Sequence, residues 1–172
     1  GQYIQVGVQE LMFQDYKGSS RVFSIVSTPT NEGSISFAFR KTGSGFKRTL
    51  ENLPIGSIIN IEGPHGFLSL PQKTSKPIVF ITGGIGITPY VSLLSSATNQ
   101  KYQGEITLLY ANSSVSRIAY NKELKELSER NKKITVLNIL GRVDEHILKS
   151  RIEEVEESLF YISGPPAMVD FV

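Results

Sequence analysis

Ile78-Val79-Phe80-Ile81-Thr82-Gly83-Gly84-Ile85-Gly86-Ile87-Thr88-Pro89 is the stretch that decides the fold. Four consecutive apolar residues with β-branched members read as a strand buried on both faces. A glycine-rich turn follows, and Pro89 suits the first turn of a helix because it has no N–H to lose there. Strand, glycine turn and helix start together form a phosphate cradle: the glycines let backbone approach a ligand, and the unpaired N–H groups of the first helical turn point at its anion. Thr88 is a plausible cap or hydrogen bonder. The run lacks the strict dinucleotide fingerprint, and no Gly-Lys-Ser/Thr follows, which disfavours a nucleoside-triphosphatase loop.

Downstream, apolar strands are expected over residues 78–81, 106–110, 134–140 and 159–162, with helical patterns between them. Tyr120, Leu124 and Leu127 recur at helical spacing, as do Leu148, Ile152 and Val155. The second part therefore reads as an open α/β domain with a parallel sheet, whose ligand belongs beyond the carboxyl ends of the strands. Upstream the period changes to two. Ile4, Val6 and Val8 alternate, Val22 to Val26 is β-rich, Ile35, Phe37 and Phe39 alternate, and Ile59 and Ile61 precede Gly63-Pro64. Short strands separated by glycine and proline suggest a small antiparallel barrel, with one short helix near Phe46 to Leu53. Residues 71–76 read as a linker. The expected division is a barrel domain over 1–73 and an α/β domain over 74–172.

Composition narrows the function classes. Of the 172 residues, 40% are apolar and 20% charged, a balance that suits a soluble globule and argues against disorder. The formal net charge of +2 and the lack of a basic block give nucleic-acid binding little support. No apolar run approaches the roughly 20 residues of a membrane helix, and a cytoplasmic location is expected. With no cysteine, this segment holds no disulfide, cysteine nucleophile or cysteine-bound iron–sulfur centre. His65 and His146 are the only histidines, so no metal site is expected. The chain begins at Gly1 and stops soon after a helix start, which reads as a fragment.

Three further groups carry chemistry. Ser163-Gly164-Pro165-Pro166-Ala167-Met168 closes the last strand with another glycine and helix start; paired with the first glycine turn, it would flank one crevice suited to a nicotinamide ring. Arg21-Val22-Phe23-Ser24 offers a guanidinium for a pyrophosphate, an aromatic two positions on for stacking on a flat ring, and a hydroxyl for a ring nitrogen or oxygen. Gly43-Ser44-Gly45-Phe46-Lys47-Arg48 opens a helix whose N–H groups, with Lys47 or Arg48, can hold phosphate oxygens.

Taken in order, these pieces, with Gly1-Gln2-Tyr3, Gly63-Pro64-His65-Gly66 and Leu109-Tyr110-Ala111-Asn112, resemble the ferredoxin-NADP reductase superfamily over essentially the whole chain. The resemblance implies a flavin-binding β-barrel followed by a nicotinamide-nucleotide domain, in a fragment lacking the family's first N-terminal strand and its C-terminal end. It implies FAD and NAD(P)H as cofactors, with hydride passing from NAD(P)H to the flavin and electrons onward to a separate acceptor protein or domain. Arg21 would bind FAD phosphate, Phe23 would stack on the flavin ring where many members have Tyr, and Ser24 would bond near flavin N5. Gly45, Phe46 and Lys47 would line the pyrophosphate, with Lys47 standing where many members carry Ser or Thr. Thr82, Gly83, Gly84, Gly86, Thr88 and Pro89 would cradle the nicotinamide nucleotide, and Gly164, Pro165 and Met168 would close its other side. Ser163 stands where many members have Cys beside the hydride-transfer site.

In that reading Ser24 and Ser163 orient and tune the reacting groups, and no hydrolase-type acid or base is needed. Asn112 and Arg117, at and after the second strand of the α/β domain, would contact the nucleotide. Arg117 and Arg142 can meet a 2′-phosphate, and no acid ends that strand to claim a ribose diol, so the choice between NADH and NADPH stays open with a lean to NADPH. Two other readings stay beside it: a reductase of free flavin, and a degenerate nucleotide-binding scaffold without catalysis.

Overall fold

The computed structural model describes residues 1–30 and 33–169. The chain divides into two compact units, Gly1–Ser69 and Leu70–Val172.

In the first unit, β1 (Tyr3–Gly7) lies between β2 (Ser20–Ser24) and β3 (Asn60–His65), both antiparallel to it. Period-two alternation sends Ile4, Val6 and Val8 into the core, where they meet Phe23 and Phe46, with Phe37, Phe39, Leu50 and Leu53 around them. Phe46 and the fully buried Thr49 come from α1 (Gly45–Asn52). Each fully buried Ile, Val or Phe contributes roughly 1.5–3 kcal/mol. Ser44 caps α1 by accepting a hydrogen bond from the Lys47 N–H at 3.3 Å.

Two expectations for this unit are corrected. The strand expected around Ile35, Phe37 and Phe39 is a single Ile25–Phe37 bridge beside one further backbone bond, from Val26 N to Ser36 O. The Ser27 hydroxyl accepts the Ser36 N–H, offering the backbone an alternative to a longer ladder. β2 likewise ends at Ser24, short of Val26. The pairings among the described residues are thus those of a three-stranded antiparallel sheet plus one bridge, and closure into a barrel goes beyond them.

The second unit is a four-stranded parallel sheet in the order β6-β5-β4-β7, formed by β4 (Ile78–Gly83), β5 (Ile106–Asn112), β6 (Ile134–Leu140) and β7 (Leu159–Ser163). Every residue of β4 is buried, as a central strand covered on both faces requires. On one face Val79, Ile81, Leu109, Ala111 and Ile139 pack with Val143 and Ile152, and with Ile147 and Leu148 of α4 (Glu145–Arg151). Phe80 alternates to the other face and stacks at 4.3 Å on Tyr90 of α2 (Thr88–Asn99). The chain runs outward from β4 through β5 to β6, then returns past β4 to β7. The direction of winding reverses between β4 and β7, and ligands of open α/β sheets bind at such a point.

Two helix boundaries also differ. Tyr120 does not belong to α3 (Asn121–Arg130) but caps it in the left-handed region at φ 58°, while Leu124 and Leu127 do face the core. Leu148, Ile152 and Val155 all reach the core, yet α4 stops at Arg151. Glu153, Glu154, Glu156 and Glu157 would place negative charge at the negative end of a longer helix. Among the described residues no helix is long and apolar enough to cross a membrane.

Candidate functional site

In the first unit, Arg21 and the start of α1 form one constellation. Arg21 Nη2 pairs with Asp15 Oδ1 at 2.6 Å, and Nη1 donates to the carbonyls of Lys17 at 2.9 Å and Gly18 at 3.0 Å. Its guanidinium lies 5.2 Å from the Phe46 ring centroid. The other Asp15 oxygen accepts the Phe46 N–H at 2.9 Å, and Oδ1 also accepts the Lys17 N–H at 3.0 Å. Hydrogen bonds from Phe46 and Lys17, then the Arg21 charge, hold the Asp15 carboxyl below the usual carboxylate range. Burial and Arg21 together lower the Lys47 pKa. Guanidinium and one helix amide thus converge on an oxyanion, and a carboxylate of the chain itself stands there.

Gly45 is required by packing: a methyl group on it would run into the backbone carbonyls of Phe13 and Gln14. Ser24 is half-buried at the end of β2, opposite Tyr3. Phe23 differs from its expected role. The alternation that puts it on Arg21's side of β2 also points it into the core, where it is 8% exposed. Its ring stacks on Phe37 at 5.0 Å and on Phe46 at 6.2 Å, so the faces expected to meet a flat ligand are covered by other phenylalanines.

In the second unit the two glycine corners meet. Gly83 ends β4, and Gly84–Ile87 form a 3-10 turn that runs directly into α2. Gly84 has φ 57°, a conformation that glycine adopts without strain. A Cβ on Gly86 would lie 2.7 Å from both Gly164 Cα and Ser163 O; one on Gly83 would lie 2.7 Å from Met168 Sδ. The partner these two glycines admit is therefore the second corner. Pro165 Cδ is 3.7 Å from the Gly83 position, and Ser163 pairs with Thr82 across the parallel ladder. Pro89 sits in the first turn of α2 as expected from its missing N–H. Thr88 does not cap the helix: it lies inside α2, and its hydroxyl donates back to Ile85 O at 3.0 Å.

At the carboxyl ends of β4 and β5, Thr82 is fully buried and Asn112 is 4% exposed. Among the described residues, Thr82 Oγ1 and both side-chain amide atoms of Asn112 have no hydrogen-bond partner. An unsatisfied buried polar group costs about 1–3 kcal/mol, so three such atoms at the neighbouring ends of β4 and β5, beside the topological switch point, mark a place for a polar ligand. Arg117 lies beyond, exposed on the 3-10 turn Val115–Arg117. Arg142 is exposed in the loop after β6.

Two residues of these sites, Asp15 and Tyr110, were assigned no role from the sequence, although Tyr110 stands in one of the quoted motifs. Asp15 is an isolated acid in an aperiodic loop; its only signal is its place a few residues before Arg21. Tyr110 is buried in β5, donates to Gly84 O at 2.9 Å and accepts the Ala119 N–H at 3.2 Å, tying the glycine turn to the loop after β5. A tyrosine near the carboxyl end of a buried strand was the available signal.

The chain is similar to several known proteins. The anthranilate 1,2-dioxygenase electron transfer component of Acinetobacter baylyi is 25% identical over 165 residues, which are 88% of this chain and 48% of that protein. A flavohemoglobin from Malassezia yamatoensis, crystallised with bound FAD and heme, superposes with a TM-score of 0.79 at 21% identity, covering 99% of this chain and 45% of that one. A ferredoxin-NADP+ reductase mutant from Plasmodium falciparum gives 0.78 at 23%, covering 99% and 73%. The chain spans about half the length of the curated relatives it matches. The likeness to the solved structures is one of fold: an antiparallel sheet unit followed by a parallel α/β unit. Residues 80–172, more than half the chain and including both glycine corners, Thr82 and Asn112, match the oxidoreductase NAD-binding domain, and the chain belongs to that family.

Proposed function

We propose that this chain is the reductase portion of a flavin-dependent NAD(P)H oxidoreductase: hydride passes from NAD(P)H to bound FAD, and electrons continue to a separate acceptor protein or domain. The observation that carries the reading is the set of orphaned polar atoms on Thr82 and Asn112 at the strand ends of a family-matched NAD-binding domain. These residues fit a nucleotide, because they supply hydroxyl and amide groups in a buried place where no described residue answers them. The first unit fits a dinucleotide's pyrophosphate, because Arg21 and the Phe46 N–H meet at an oxyanion position that a carboxylate already fills, with Lys47 the next residue of α1. The name of the Acinetobacter relative, an electron transfer component, supports an acceptor outside the chain.

Bound flavin supplies the capacity to take a hydride and release electrons singly. The chain's residues bind and orient. Arg21 and the first amides of α1 hold the pyrophosphate, with Gly45 keeping the helix start close to its supporting loop. Ser24 donates toward the flavin ring, and Ser163 stands as a polar group beside the nicotinamide. Thr82, Asn112 and the turn Gly83–Gly86 hold the nucleotide, Pro165 and Met168 exclude water from its other side, and Arg117 meets its phosphate. The first unit is read as a flavin-binding barrel completed by pairings beyond those described above.

A second reading, in which flavin is a transient substrate, is favoured by one observation: Asp15 competes for the same donors a flavin phosphate would use. The test is anaerobic titration of the FAD-loaded protein with NADH and, separately, NADPH, followed by flavin bleaching. Rapid bleaching by one nucleotide supports the reductase and identifies its donor. Retained flavin with no bleaching by either sinks it, and flavin lost on gel filtration but reduced on turnover favours the second reading.

A further inference from the structure

We propose that Asp15 is a built-in occupant of the phosphate site, holding its donors ready in the absence of ligand and giving way when a diphosphate arrives. This rests on the reading of Arg21 and α1 as that site. The Asp15 side chain is 3% exposed, and its carboxylate bridges Arg21 at 2.6 Å and the Phe46 N–H at 2.9 Å. Those donors belong to different elements, a strand and a helix start. A planar carboxylate can reproduce two of a phosphate's oxygens, but only one anion can hold the same donors at full strength.

The surroundings favour an occupant over a permanent brace. Asp15 belongs to the loop between β1 and β2, whose following residues are exposed: Tyr16 is 92% exposed, and Gly18 turns at φ 80° with no described residue within 4 Å of a Cβ position. The start of the loop is fastened separately, by the Met12 N–H bonding to Thr49 Oγ1 at 3.1 Å and by Gly45 against Phe13 and Gln14. Asp15 can therefore leave while the loop stays docked on α1. Removing it leaves the Arg21 charge without its partner, and burial, then the Arg21 charge, lowers the pKa of Lys47 on the first turn of α1. A doubly charged or more highly charged anion answers these charges better than one carboxylate.

The test uses the full chain without flavin and inorganic pyrophosphate as the probe, comparing wild type with Asp15→Asn by calorimetry. Loss of the competing charge is expected to tighten pyrophosphate about tenfold, equivalent to about 1.4 kcal/mol. FAD should tighten in parallel, while riboflavin, which has no phosphate, binds both proteins equally. Unchanged or weaker pyrophosphate binding by Asp15→Asn overturns the proposal, because a residue that merely orients Arg21 would be missed by the ligand. Tightening of riboflavin as well also overturns it. The wild type gives an independent readout: during pyrophosphate titration the Phe46 and Lys17 amide resonances should move along one binding curve, since Lys17 loses its Asp15 acceptor. Movement of Phe46 with Lys17 fixed counts against displacement. Failure of the function reading is separate: it is the absence of FAD binding where pyrophosphate still behaves as expected.

Discussion

Gly86 lies so close to Gly164 that a Cβ on Gly86 would sit 2.7 Å from the Gly164 Cα. The glycine turn after β4 and the corner after β7 are thus fitted backbone to backbone, which brings two strand ends of the proposed nucleotide site into one rigid junction. Gly86→Ala cannot be absorbed by a side-chain rotation. Overpacking of this kind costs about 1–3 kcal/mol, and a unit of this size loses roughly 4–8 °C in Tm per kcal/mol. Gly83→Ala meets instead the flexible end of Met168, so its cost is smaller and is relieved by Met168→Ala. Scanning calorimetry of the singles and of the Gly83→Ala/Met168→Ala double checks both statements. A neutral Gly86→Ala would remove the junction from the account.

Thr82→Val and Asn112→Leu should move stability and binding in opposite directions. Each replaces orphaned buried polar atoms by apolar groups of similar size, so the ligand-free protein gains about 1 kcal/mol. The same changes delete partners for the nucleotide and weaken its binding by roughly three- to tenfold, the worth of one hydrogen bond of about 0.5–1.5 kcal/mol. Ligand-free denaturation and fluorescence titration with NADH and NADPH measure the two effects. A loss of stability in both variants would mean that these side chains serve the fold.

The α/β unit was legible because its signals are local. Ile78 to Ile81 is continuous and apolar, and the strand it forms is buried at every position. Ile4, Val6 and Val8 alternate, and all three are core. What was not legible depends on partners distant in sequence. Nothing near Gly83 or Gly86 says that residues 163–168 fill the space a side chain would need. Nothing near Phe23 announces that Phe37, Phe39 and Phe46 enclose it. The Asp15–Arg21 pair is close in sequence but sits in a loop without periodicity, so no pattern identified Arg21's partner.

Phe23 now carries a prediction opposite to that of a stacking residue. Phe23→Ala should destabilise the first unit by about 3–5 kcal/mol, the usual cost of deleting a buried phenylalanine. Phe23→Tyr should also destabilise, since a hydroxyl would enter a cluster of phenylalanine rings with no partner there. Urea unfolding of the flavin-free protein reads both. If Phe23→Ala leaves unfolding unchanged and abolishes flavin binding alone, the ring is a ligand contact and its burial is not what matters.

The Asp15 carboxyl makes the stability of the first unit depend on pH in the acid range. Its folded pKa lies below the unfolded value of about 3.9, held there by the Phe46 and Lys17 N–H groups and by Arg21. A carboxyl with a depressed folded pKa binds its proton more readily in the unfolded chain. Its contribution is therefore fully present above the unfolded pKa and is lost as pH falls through the folded one. Asp15→Asn should accordingly be less stable than wild type at pH 7, by an amount that is constant down to about pH 5 and shrinks below about pH 4. Denaturant melts of both proteins between pH 7 and pH 2 give that difference directly. A gap unchanged at pH 2 would show that the loss comes from altered hydrogen bonding and not from charge. The stability lost in Asp15→Asn would accompany tighter pyrophosphate binding, because the same carboxylate that holds Arg21 and α1 together in the free protein stands where the ligand's phosphate must go.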